Sequence, residues 1–228
     1  MQDPNQESKI WDREYSELHV IPSSTRESPS KALLLFSEIL RFGEFKHVLD
    51  SGCGPGRNTV YLASKGCRVC AVDFSEVALN RAKKAVTAAG LDARVQLLRH
   101  SLLDRLPFRD GSFDLIVDSY VFCHFIDSGE QKSYRDEMAR LLRKGGTFFC
   151  SAFSPDDEYY REMMIDKRQR IIVDPANGVR KKLYCDLEFK QFFAERFHVK
   201  FFVRFEFDDR VRGSLYRRNV IVTICESR

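Results

Sequence analysis

The chain has 228 residues, 43% of them hydrophobic, and a formal net charge of +4. That is enough apolar material for one sizeable core and fits one domain with insertions better than two. No apolar run approaches the roughly 20 residues of a bilayer-spanning helix, and the polar start Met1-Gln2-Asp3-Pro4-Asn5-Gln6-Glu7 lacks the basic and apolar regions of a secretory signal, so the expectation is a cytoplasmic protein without a membrane partner.

In chain order, Ser28-Pro29-Ser30 caps a helix predicted to run through Phe42, and His47 to Asp50 reads as a short buried strand ending in a glycine-rich turn. A helix over 58–65 follows, then a strand over 68–73, and Ser75 caps a helix through Ala89 that Gly90 ends. Strands are predicted over 94–99 and 113–119, a helix over 131–143, and a fifth strand over 147–153 after Lys144-Gly145-Gly146. Helix and strand alternate, which implies a parallel sheet flanked by helices. Residues 154–185 are polar with Asp-Pro and Asn-Gly breakers and read as a lid insertion rather than core. A helix over 186–196 precedes two long strands, 197–207 and 214–225, expected to form an antiparallel hairpin. The expected fold is therefore doubly wound α/β: a mostly parallel seven-stranded sheet with helices on both faces and a C-terminal antiparallel hairpin. Residues 1–44 read as N-terminal cap helices and 45–153 as a cofactor-binding core.

Seven cysteines are scattered through these elements, an odd number that argues for reduced thiols. Cys67 and Cys70 have CxxC spacing, but in an extended run their side chains face opposite ways, so no metal site is expected. The basic excess is C-terminal: residues 161–228 hold sixteen Lys/Arg against ten Asp/Glu. This bias either attracts an anionic ligand or nucleic acid, or is a solvated surface.

The strongest chemical signal is Asp50-Ser51-Gly52-Cys53-Gly54-Pro55-Gly56-Arg57, a strand end followed by three alternating glycines opening a helix. A dinucleotide site prefers Gly-x-Gly-x-x-Gly, whereas here the third glycine comes one residue early and Arg57 takes its place. A carboxylate at Asp50 repels a pyrophosphate and suits a cationic ligand. Asp73, at the end of the next strand and followed by Phe74, is placed to accept protons from both ribose hydroxyls.

These residues resemble the class I S-adenosylmethionine-dependent methyltransferase superfamily, whose first motif is Asp-x-Gly-x-Gly-x-Gly and whose second strand ends in an acidic residue. Leu106-Pro107-Phe108 followed by Ser112-Phe113-Asp114, and the stretch 137–149, are similar to later motifs of that family. The resemblance covers about 45–153 and implies S-adenosylmethionine as cofactor, held by Asp50, Gly52, Gly54, Gly56, Asp73 and Phe74. Where many relatives carry an Asp for the adenine amino group, this chain has Leu102. The adenine is then held by backbone near Leu102 and Leu103, or by Asp104 through a shifted loop.

Residues after the fourth strand face the ligand crevice in such sheets. Asp118 and Ser119 are assigned to the cofactor side, and Tyr120 and His124 to the acceptor side. An unperturbed His124, with a pKa of about 6.5, suits a general base; the alternative is packing on the next helix. Trp11 and Tyr15, spaced i, i+4, either close over the cofactor or simply pack. Arg180-Lys181-Lys182 either grip an acidic group on the acceptor or are solvated. The functional expectation is methyl transfer to N or O of a small, anionic or polar metabolite. The alternatives are an RNA or protein methyltransferase, and a non-catalytic cofactor-binding subunit.

Overall fold

The computed structural model describes residues 4–228, so Met1–Asp3 of the polar N-terminal run lie outside the described residues. Helix α1 (Pro4–Arg13) passes into a π-helical turn (Glu14–Leu18), followed by the short helices α2 (Pro22–Thr25), α3 (Lys31–Leu35) and α4 (Ser37–Leu40). The core then alternates β1 (His47–Ser51), α5 (Arg57–Ser64), β2 (Arg68–Asp73), α6 (Glu76–Ala88), β3 (Val95–Arg99), β4 (Phe113–Ser119), α7 (Ser128–Leu141) and β5 (Leu142–Phe153). After it come α8 (Glu158–Arg161), β6 (Met164–Asp166), β7 (Ile171–Val173), β8 (Arg180–Lys182), α9 (Asp186–Ala194), β9 (Phe197–Val211) and β10 (Ser214–Ser227).

Seven strands form one sheet in the order β3-β2-β1-β4-β5-β10-β9. Neighbours from β3 to β5 are parallel, and β10 runs antiparallel to both β5 and β9, so only β10 opposes the common direction. The chain builds outward from β1 to β3, then returns to lay β4 on the other side of β1. That reversal opens a crevice beyond the carboxyl ends of β1 and β4.

Alternate residues of the buried strands feed two apolar clusters, one on each face of the sheet. Val48, Leu115 and Val117 enter one, and Leu49, Ile116 and Phe148 the other. Cys67 and Cys70 fall into opposite clusters, and all seven cysteines are free thiols. No cluster of metal-ligand type occurs among the described residues, and no helix there is long and apolar enough to cross a membrane.

Several predicted boundaries move. The helix expected over 30–42 is broken at Phe36, whose ring turns into the core against Phe149 at 6.2 Å while Leu34, Leu35 and Ile39 stay exposed. Ser30 does cap it, accepting from the Leu33 N–H. Helix α7 starts at Ser128 because Asp127 caps it, accepting from the N–H groups of Gly129 and Glu130. The hairpin is longer than expected, its strands joined through Arg212 and Gly213, both at positive φ, the geometry that matches strand twist in a two-residue turn.

Residues 154–185 depart most from expectation. They hold a second, three-stranded antiparallel sheet, β6-β7-β8, and their Tyr159, Tyr160, Ile172 and Leu183 join the main core. The segment read as lid rather than core therefore also supplies core residues, which the sequence hides because they are spread among breakers too thinly to show a period. Two family-like motifs turn out to be one unit: Glu137 accepts from the Leu106 N–H at 2.8 Å, and Arg140 donates to the carbonyls of Leu106 and Phe108. Helix α7 thereby holds the Leu-Pro-Phe loop.

Candidate active site

The glycine loop after β1 is pinned from below by β2. The Cys53 N–H donates to the Val72 carbonyl, and the Gly54 N–H donates to Asp73 Oδ2 at 2.8 Å. Asp73 Oδ1 accepts from the Ser75 N–H at 2.9 Å, and Ser75 caps α6 while donating to Asp12 of α1. Asp73 is 5% exposed, and burial raises its pKa to about 6 against the pull of those N–H donors. Its free lone pairs face a cavity of about 1080 Å³ that Gly52, Gly54, Phe74, Leu102, Leu103 and Asp104 also line. A Cβ on Gly54 would approach the Tyr15 hydroxyl to 3.1 Å, so the loop backbone is bare where Tyr15 covers it. These features fit S-adenosylmethionine: a carboxylate with acceptors left for a diol, and exposed backbone beside it.

Three residues expected to touch the cofactor do not line this cavity. Asp50 is 1% exposed and accepts from the Thr59 hydroxyl at 2.5 Å, so its carboxylate braces the first turn of α5; burial raises its pKa to about 6. Gly56 serves packing instead, because a Cβ there would lie 2.9 Å from Ala82 Cβ, and its absence lets α5 approach α6. Asp118 is fully buried and accepts from the N–H groups of Val121 and Phe122 and from the Tyr134 hydroxyl, so it shapes the turn after β4; burial raises its pKa to about 7.

That turn holds Tyr120 at φ +68, a conformation bulky residues rarely adopt, and lays its ring on Phe153 at 4.6 Å. Ser119, Tyr120 and His124 all line the cavity. His124 Nδ1 lies 2.9 Å from the Arg180 carbonyl; since a carbonyl only accepts, Nδ1 carries the proton and Nε2 keeps the lone pair. The premise of an unperturbed imidazole fails: burial, with Lys181 nearby, lowers its pKa to about 3. Such a group accepts a hydrogen bond but is a weak base at neutral pH.

Trp11 and Tyr15 both line the cavity and stack at 5.5 Å, with Trp11 edge-on to His124 at 4.9 Å. Behind them Glu14, fully buried, accepts from the Ile21 N–H, the Ser24 hydroxyl and Asn177 Nδ2, tying the N-terminal turn to the segment between β7 and β8. The basic trio Arg180-Lys181-Lys182 is cavity wall rather than solvated face: Lys181 is 2% exposed, and Lys182 pairs with Glu188 at 2.7 Å.

Sequence reasoning passed over two further cavity residues, Arg57 and Arg218. Arg57 was in view only as a break in glycine spacing. Arg218 pairs with Asp157 at 2.9 Å, both nearly fully buried and 61 residues apart, with no local signal joining them.

A sheet with this order, a glycine loop at its switch point and a carboxylate capping β2 define a Rossmann-like methyltransferase fold. Residues 48–146 match the family model described as a methyltransferase domain. An uncharacterized methyltransferase of Schizosaccharomyces pombe is 29% identical over 145 residues, covering 63% of this chain and 97% of that one. Another from Synechocystis is 39% identical over 111 residues, covering 49% of each chain. Among solved structures, the Burkholderia thailandensis 1,6-didemethyltoxoflavin-N1-methyltransferase superposes with a TM-score of 0.70 at 22% identity, over 100% of this chain and 91% of that one. The family-model match, the methyltransferase relatives and the solved neighbour together support the class I S-adenosylmethionine-dependent methyltransferase superfamily. The chain is a methyltransferase enzyme whose cofactor is S-adenosylmethionine.

Proposed function

We propose that the protein methylates a nitrogen or oxygen of a small metabolite, enclosed between the turn after β4 and the segment 154–185, which acts as the wall over the acceptor. The observation that carries this reading is one cavity shared by both regions: Gly52 and Asp73 line it together with Tyr160, Ile171 and Lys181. At about 1080 Å³ it exceeds the roughly 300–1,000 Å³ of a single ligand pocket, leaving room for a cofactor and a small acceptor. The Burkholderia neighbour, whose structure holds 1,6-didemethyltoxoflavin and S-adenosylhomocysteine, supports a small acceptor by analogy of fold.

In this reading Asp73 accepts both ribose hydroxyls, Leu102, Leu103 and Asp104 border the adenine, and Trp11 and Tyr15 present aromatic faces to a cation. When bound, the cofactor supplies an electrophilic methyl on a sulfonium. The protein's work is alignment and exclusion of water. With His124 held neutral, its Nε2 accepts from the acceptor N–H or O–H and so aims the nucleophile's lone pair, and the proton released on transfer passes to solvent rather than staying on His124.

Incubation with methyl-labelled cofactor and fractionated extract tests the reading. Label is expected in the small-molecule fraction. Label confined to RNA or protein would overturn the reading, and binding of S-adenosylhomocysteine with no transfer to any fraction would favour a non-catalytic subunit.

A further inference from the structure

The acceptor end of the cavity holds a concentration of cationic donors that the fold itself does not satisfy. Lys181 is 2% exposed, yet its Nζ has no hydrogen-bond partner and rests over the Tyr160 ring at 5.0 Å. Arg218 is 3% exposed and lies over the same ring at 5.1 Å; Asp157 takes its Nε and Asp209 lies 3.7 Å from its Nη1, while its Nη2 has no partner. Arg57, partly buried, lines the same cavity, and its guanidinium makes no hydrogen bond or ion pair among the described residues. Lys181 and Arg218 thus meet over one ring, Tyr160, while Arg57 and Tyr120 line the same cavity.

A buried cation without a hydrogen bond is costly and offers a stable protein nothing by itself. Burial, with Arg218 adding like charge, pushes the Lys181 pKa down despite the opposing pull of Cys123, Asp174 and Glu14, and no carboxylate pairs with its Nζ among the described residues. The chemistry that answers all three residues is an oxyanion: two or three oxygens accepting from an ammonium and from guanidinium forks. The surrounding rings of Tyr120, Phe153 and Tyr160 suit a flat body attached to it.

We propose that Arg57, Lys181 and Arg218 form an oxyanion subsite, so that the methyl acceptor is a small planar molecule bearing a carboxylate or phosphate. This inference rests on the small-metabolite reading above. The subsite draws on β8, β10 and the start of α5, and only Arg57 adjoins the glycine loop, which puts most of its charge on the acceptor side.

Calorimetry on the full chain saturated with S-adenosylhomocysteine tests it, with benzoate and phenyl phosphate as probes and benzamide as the uncharged control. At least one anion is expected to bind about tenfold or more tightly than benzamide, and the preferred anion separates carboxylate from phosphate recognition. Lys181→Met should weaken anion binding by about tenfold while leaving S-adenosylhomocysteine affinity within about twofold. Its Tm should hold or rise, because an unpaired buried charge is replaced by a side chain of similar length. Arg57→Met, away from the tightly packed Arg218–Asp157 pair, serves as the second variant and should also weaken anion binding. Absence of anion binding to the loaded protein, affinity unchanged in both variants, or displacement of S-adenosylhomocysteine by the anion would each overturn the subsite. Failure of S-adenosylhomocysteine itself to bind would overturn the assignment beneath it.

Discussion

Asp73 is the residue whose removal separates cofactor binding from simple folding most sharply. Its two oxygens already accept from the N–H groups of Gly54 and Ser75, so Asp73→Ala removes an acceptor from the ligand and strands two buried donors. Hydrogen bonds to a charged group contribute about 1.5–3 kcal/mol each, so loss of both ribose contacts should weaken S-adenosylhomocysteine binding by about 3–6 kcal/mol, at least about 100-fold. The stranded donors should cost about 2 kcal/mol of stability, lowering Tm by about 4–8 °C for a chain of this size. Asn is no conservative replacement, because its amide N–H₂ would face one of the two N–H groups that now donate to the carboxylate. The carboxyl is also raised to about 6, and a diol donor prefers the ionised form, so wild-type affinity should fall by up to tenfold per pH unit below about 6. Titration calorimetry between about pH 5 and pH 8, with thermal unfolding in parallel, measures both effects. An Asp73→Ala protein that stays folded and binds S-adenosylhomocysteine within about twofold of wild type would refute this argument.

Asp118 ties stability to pH. Its folded pKa lies at about 7, above the usual 3.8, so its contribution is complete below 3.8 and is lost as pH rises through 7, a change on the order of 4 kcal/mol. Wild-type Tm should therefore fall between about pH 4 and pH 7, and Asp118→Asn should flatten that fall; an unchanged slope would show that Asp118 titrates normally. Gly56→Ala places a methyl 2.9 Å from Ala82 Cβ and 3.1 Å from its Cα, at φ +88. Backbone strain and overpacking together should cost about 2–5 kcal/mol and lower Tm by at least about 5 °C, and a Tm within about a degree of wild type would mean α5 and α6 are free to separate.

Much of the fold was legible because it is written locally. The alternation of β1 through β5 with helices, Ser30 and Ser75 as caps, and the glycine loop after β1 each depend on residues a few positions apart. That Gly52, Gly54 and Asp73 share one cavity was legible for the same reason, since they sit at the ends of consecutive strands. The sequence could not say which way a carboxylate points. Asp50 and Asp118 look like ligands because they end strands, but the residues that decide their direction, Thr59 and Tyr134, lie on helices that pack only when the sheet forms. The acceptor side was least legible, because Arg57, Lys181 and Arg218 reach the cavity from three distant segments, and Lys181 and Arg218 meet only over the Tyr160 ring. A run such as Arg180-Lys181-Lys182, taken alone, reads equally as a grip for an anion or as solvated surface. Tertiary packing buried Lys181, paired Lys182 with Glu188, and thereby made one charge of the run different from its neighbour. Local periodicity determines elements and their order, whereas desolvation and long-range pairing, which set charge and reactivity, exist only once those elements have packed.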